Sequence, residues 1–131
     1  MHCCCNTDWS LFLDAPFDIL SFDSYGYFDS LLLYDIQLRN FLGRGGFLAW
    51  GLIPTGDDLQ TETADSLWSR FSHQVAQLAQ RLGLETAQVL AQALLTPACG
   101  LGYLSPEAAS RVLMMLADFC ARGRDWLEKR Q

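Results

Sequence analysis

Long apolar runs are missing from this sequence. Asp, Arg or Gly interrupts each one well before the ~20 residues that a membrane span needs, so no spanning segment is expected. Basic residues are scarce too. Nine Lys and Arg face fifteen Asp and Glu, the net charge is −6, and no basic cluster forms. That balance argues against a nucleic-acid or anionic-membrane surface. Charged residues make up only 18% of the chain and hydrophobic ones 50%, which excludes a disordered segment. The first eight residues have neither a basic nor an apolar stretch, so no export signal is expected. A phosphate-binding glycine loop is lacking, because Gly43-Arg44-Gly45-Gly46 follows a helical pattern rather than a strand. A serine nucleophile elbow is lacking as well.

What remains is a chain of 131 residues, long enough for one domain with its own core. It has five cysteines: Cys3, Cys4, Cys5, Cys99 and Cys120. An odd number with three adjacent is a poor disulfide framework. A reducing cytoplasm is the expected setting. There, adjacent cysteines serve metal or thiol chemistry, or simply pack in a buried strand.

The apolar period switches repeatedly along the chain. Phe17 to Asp23 reads as a buried strand, closed by the turn-rich Ser24-Tyr25-Gly26. Leu31 to Leu42 reads as one helix, with Leu31, Leu32, Ile36, Leu38 and Phe41 available for a core face. Phe47 to Ile53 is a nearly all-apolar strand closed by Pro54. Leu67, Phe71, Val75, Leu78 and Leu82 recur at helical spacing until Gly83 stops them. A short helix from Glu85 to about Gln92 leads into the strand Ala93 to Thr96. The last helix opens at Ser105-Pro106-Glu107, with Val112, Leu116, Phe119 and Cys120 on its inner face. The tail from Arg122 to Gln131 is more polar, and the four tryptophans look scattered. Apolar strands alternating with amphipathic helices predict an α/β domain over 1–131 with a parallel sheet.

Candidate chemistry gathers at the predicted strand ends. His2 and Cys4 are two apart, so on a strand they share a face, while Cys3 and Cys5 take the other. Imidazole and thiolate are both zinc donors. Taken alone, His-x-Cys is a weak signal and reads more readily as a strand end with small buried residues. Cys99 follows the strand Ala93 to Thr96, and residues just past such strand ends line the active face of a parallel sheet. Asp23 ends another strand there, as a fourth ligand or as the cap of a turn. His73 and Cys120 read as a helix-surface residue and a core residue, and Asp57-Asp58 as a solvated loop pair.

The motifs resemble a known superfamily. His2-Cys3-Cys4-Cys5-Asn6-Thr7 resembles the His-x-Cys-x-Asn-Thr segment of corrinoid-dependent thiol methyltransferases, which are uroporphyrinogen-decarboxylase-like proteins. Pro97-Ala98-Cys99-Gly100-Leu101 resembles the Pro-x-Cys-Gly-Leu segment of cobalamin-independent methionine synthases. The resemblance implies a TIM (β/α)8 barrel, of which this chain would supply about the last four βα units. It also implies a zinc ion held by His2, Cys4 and Cys99, with Asp23 near the place of a further glutamate ligand. The zinc would activate an acceptor thiol such as homocysteine for methyl transfer from methyltetrahydrofolate or a methylcorrinoid. Two departures stand out: Asp23 is one methylene shorter than that glutamate, and Gly102 replaces a lysine common in the methionine synthases. The missing half of the barrel implies a fragment, a separate chain that supplies the N-terminal half, or self-association. Two other readings stay open: a metal-free decarboxylase-like protein, and a non-catalytic metal-binding or structural subunit.

Overall fold

The structure, a computed structural model, describes residues 1–129. Four strands form one sheet: β1 (His2–Cys3), β2 (Ile19–Phe22), β3 (Phe47–Ile53) and β4 (Ala93–Pro97). All pairings are parallel and the spatial order is the chain order. The connecting helices are α1 (Ser10–Leu13), α2 (Ser24–Leu32), α3 (Asp35–Gly43), α4 (Ala64–Leu82), α5 (Thr86–Ala91) and α6 (Pro106–Glu128). Crossovers of the right-handed sense that parallel strands almost always take, in this unbroken order, would place these helices on one face of the sheet. The α/β class and the parallel sheet therefore agree with the reading of the sequence. No helix among the described residues is long and apolar enough to cross a membrane.

Strand alternation divides the sheet into two faces. One transverse row runs Cys3, Phe22, Trp50, Leu95 across all four strands. Phe22 and Trp50 in this row are fully buried beneath the helices, and Cys3 and Leu95 pack against the same core. The neighbouring row runs His2, Ser21, Ala49, Leu94 and points the other way. On that face Ile19, Phe47 and Leu94 remain 42%, 37% and 42% exposed, while Ala49 is buried.

The helices follow from local signals. α4 buries Leu67, Phe71, Val75, Leu78 and Leu82, the residues that set its period. Thr63 Oγ1 accepts from Ser66 N at 3.1 Å, and Ser66 Oγ accepts from Thr63 N at 3.0 Å, a reciprocal cap. Gly83 ends the helix with φ +67°, a conformation that side chains resist. Ser105 caps α6 by accepting from Ala108 N at 3.1 Å. That helix continues to Glu128, well into the tail that reads as polar, and Trp126 and Leu127 pack against the core.

Two expectations need correction. The single helix from Leu31 to Leu42 is really two, α2 and α3, broken at Leu33-Tyr34. The apolar run concealed the break, and Ile36, which opens the second helix, is 68% exposed. Ser24-Tyr25-Gly26 is the first turn of α2 rather than a loop, because Asp23 caps it. The tryptophans are likewise joined rather than scattered. Trp9 meets Phe22, Phe22 meets Trp50, and Trp50 meets Phe71, at ring separations of 6.3, 5.5 and 5.3 Å. Phe71 then meets Trp68, which touches Trp126 at 5.9 Å. Edge-on and tilted rings of this kind add to the area they bury.

Gly51 sits where β3 meets the start of the loop after β4. A Cβ there would lie 2.6 Å from the Phe22 carbonyl oxygen and 2.7 Å from Ala98 Cα. Both obstacles are backbone, so neither can swing aside. Gly51→Ala is expected to destabilise the fold by about 1–3 kcal/mol through overpacking. A lowered urea midpoint checks this, and an unchanged midpoint would refute the close approach.

Candidate metal centre

Two loops from opposite edges of the sheet build the site. β1 and β4 are separated by β2 and β3. At the usual spacing of about 4.8 Å per strand, those edges would lie about 14 Å apart in a flat sheet. Yet Cys99 Sγ donates to Cys4 Sγ at 3.6 Å. The top of the sheet must therefore curl, or its loops lean inward, until the edges meet.

Each participant is placed by its neighbours. His2 pairs in register with Ser21, and its Nδ1 lies 2.7 Å from Ser21 Oγ. That hydrogen bond fixes the ring and leaves Nε2 as the nitrogen available to a ligand. Cys4 comes directly after β1. Cys99 follows Ala98, which is buried, donates from its N–H to the Ile53 carbonyl at 2.9 Å, and presses on Gly51. The donor atoms of His2, Cys4 and Cys99 all fall within 4.8 Å of one another.

This donor set suits zinc. With Zn–S bonds of about 2.3 Å in a tetrahedron, two thiolates on one ion stand about 3.8 Å apart. The 3.6 Å between Cys4 and Cys99 is close to that value. Three protein ligands also leave a fourth coordination position open, as catalytic zinc sites do. The two sulfurs also act on each other's charge. The hydrogen bond with Cys99, then the charge Cys99 would carry beside it, pushes the Cys4 thiol above its ordinary range. Two thiolates this close repel, and a divalent cation between them would relieve the repulsion.

Asp23 has a different task. Its Oδ1 accepts from Gly26 N at 2.9 Å and caps α2. It is not one of the three residues gathered within 4.8 Å. It nevertheless lines the same cleft of about 360 Å³, together with Cys4, Cys99, Tyr25, Thr55 and Asp58. A cleft of that volume fits a small molecule. Asp58 is exposed, as its reading as a solvated residue expects, and also lines this wall. Tyr25 is held there by Glu62, whose Oε1 accepts from the Tyr25 hydroxyl at 2.8 Å. Ser66 donates to the other carboxylate oxygen, and the two bonds hold the Glu62 carboxyl below its ordinary range.

Ser21 and Tyr25 escaped the sequence reading. Ser21 matters only because parallel register sets it beside His2. A polar residue inside an otherwise apolar strand was the available signal. His73 is exposed on α4, and half-buried Cys120 faces a separate groove below β4 with Phe71 and Leu94, so neither joins the site. Comparison with protein-family models, curated proteins and solved structures gave no match.

Burial pushes the Asp23 carboxyl above its ordinary value, opposed by the hydrogen bond from Gly26. A raised carboxyl pKa favours the fold fully below the unfolded value, and that contribution is lost as pH rises through the folded one. Asp23→Asn keeps the cap oxygen and removes the titration. Its stability relative to the parent chain is thus expected to rise as pH climbs from the ordinary carboxylate range, about 4, through the raised value of Asp23. Asp23→Ala should instead cost about 1 kcal/mol through the lost cap. Urea titrations of the metal-free protein at several pH values check both, and an Ala variant as stable as its parent would dismiss the cap.

Proposed function

We propose that this chain is the zinc-binding, C-terminal half of a TIM-type (β/α)8 barrel in a thiol methyltransferase. The observation that carries this reading is the convergence of His2, Cys4 and Cys99 from the two edges of the sheet. Sequential parallel order, an apolar face left partly exposed and strand-end loops that converge at the top are all features of a barrel wall. The remaining strands would cover Ile19, Phe47 and Leu94 and supply the other half of the site. They would come from a separate N-terminal half, from a longer chain, or from self-association.

His2 Nε2, Cys4 Sγ and Cys99 Sγ would hold the ion, and Ser21 would keep the imidazole aimed at it. The zinc, when bound, supplies one thing: it keeps an acceptor thiol such as homocysteine ionised at neutral pH, and thiolate is the nucleophile. The acceptor's body would lie in the cleft beside Tyr25 and Thr55. The methyl donor, methyltetrahydrofolate or a methylcorrinoid, would approach the rim of strand ends from the side that the missing strands complete. A metal-free decarboxylase-like reading stands second, because it leaves the meeting of one imidazole and two thiols unexplained.

Reduced protein dialysed against zinc should retain about one equivalent per chain, given three donors at zinc geometry. Cys99→Ala should retain none. Metal analysis after removal of free zinc decides this, and a parent chain that emerges metal-free would end the proposal. Ser21→Ala removes a partner of a ligand rather than a ligand. Competition against a chelator should show it binding zinc 10- to 100-fold more weakly, on the order typical of such partners, at unchanged urea midpoint. Methyl transfer to homocysteine, assayed alone and with a chain that supplies the first half-barrel, tests the activity itself.

A further inference from the structure

Two cysteines remain beside this centre with no part in it. Cys3 lies on the helix-facing row with Phe22 and Trp50, so its sulfur points away from His2 and Cys4. Cys5 sits at a bend just beyond β1, and the bend turns its side chain back. The two sulfurs come within 3.6 Å, and Cys3 Sγ also donates to the Cys5 carbonyl at 3.4 Å. Continued extension of the strand would not bring successive same-face side chains so close, so the bend creates the pair. The two sulfurs differ in access: Cys3 is half-buried against the core, whereas Cys5 is exposed.

We propose that Cys3 and Cys5 form a dithiol site, separate from the metal centre, that closes reversibly to a disulfide by exchange with a low-molecular-weight disulfide. The exposed Cys5 thiolate attacks one sulfur of the small disulfide and expels one thiolate, giving a mixed disulfide on Cys5. The Cys3 thiolate then attacks Cys5 Sγ and expels the second. The small disulfide takes up two electrons and leaves as two thiols, with protons from Cys3 and Cys5. The Sγ atoms must close from 3.6 Å to about 2 Å, a movement that rotation of the exposed Cys5 side chain can supply. Cys4, between them in sequence, projects towards Cys99 and is not the resolving partner. The pair needs no metal, so it stands whether or not zinc binds at His2, Cys4 and Cys99.

The test uses the full reduced chain with oxidised glutathione, once with equimolar zinc and once with a chelator. Free thiols are blocked with a first alkylating label, disulfides are reduced, and the released thiols receive a second label. Fragmentation of the N-terminal peptide then assigns the label at each cysteine. The proposal expects the second label on both Cys3 and Cys5 under either condition. In Cys3→Ser, Cys5 should stop at the mixed disulfide with glutathione, at a level raised at least about tenfold over the parent chain. A first label on Cys3 while Cys5 is oxidised, or pairing of Cys5 with Cys4 or Cys99, would overturn it. Failure of zinc to bind would leave these labels unchanged, so the two proposals fail separately.

Discussion

The meeting of Cys4 and Cys99 across the mouth of the sheet is the contact on which the site depends. Strands at the two edges of a four-stranded parallel sheet have no reason to touch. Their loops touch here because the top of the sheet curls or its loops lean inward, above a face on which Ile19, Phe47 and Leu94 stay exposed. Gly51 takes part in this contact: without a side chain, it lets the Ala98 backbone sink onto β3 and carries Cys99 inward.

Alternation of side chains then sorts the residues. The row containing Phe22 and Trp50 faces the helices and becomes core. The adjacent row places His2 against Ser21, on the face where a substrate could approach. Shifting β1 by one residue relative to β2 would exchange His2 with Cys3 and dissolve the site. That register rests on a strand of two residues, extended by Met1, whose amino group donates to the Ile19 carbonyl at 3.0 Å and whose carbonyl accepts from Ser21 N at 2.8 Å.

Much of this was legible in the sequence. The strands at Phe47 to Ile53 and Ala93 to Thr96, and the helix through Phe71 and Val75, follow from apolar runs and helical spacing. So did the grouping of His2, Cys4 and Cys99, since strand ends of a parallel sheet share one rim. The break at Leu33-Tyr34 was hidden because consecutive leucines mask a change of helix face. For Asp23 the sequence left ligand and cap both open, because strand-end and helix-start carboxylates look alike until the next turn is seen. Ser21 and Tyr25 depend on register and on a cross-link to Glu62, neither of which is local in sequence. The return of Cys5 towards Cys3 depends on a bend where strand alternation would have kept extending.

A metal shared by Cys4 and Cys99 would have a mechanical consequence as well as a chemical one. The two residues are 95 apart in sequence, so the shared ion would close nearly the whole chain into a loop. Cross-links across loops of that length restrict the unfolded chain by several kcal/mol, on the order of 4–5 in the chain-entropy view. β1 is the element with least of its own to hold it. On the proposed reading, the ion that readies the substrate is also the staple that keeps the N-terminal edge of the sheet in place, and the protein's order and its competence would rise and fall together.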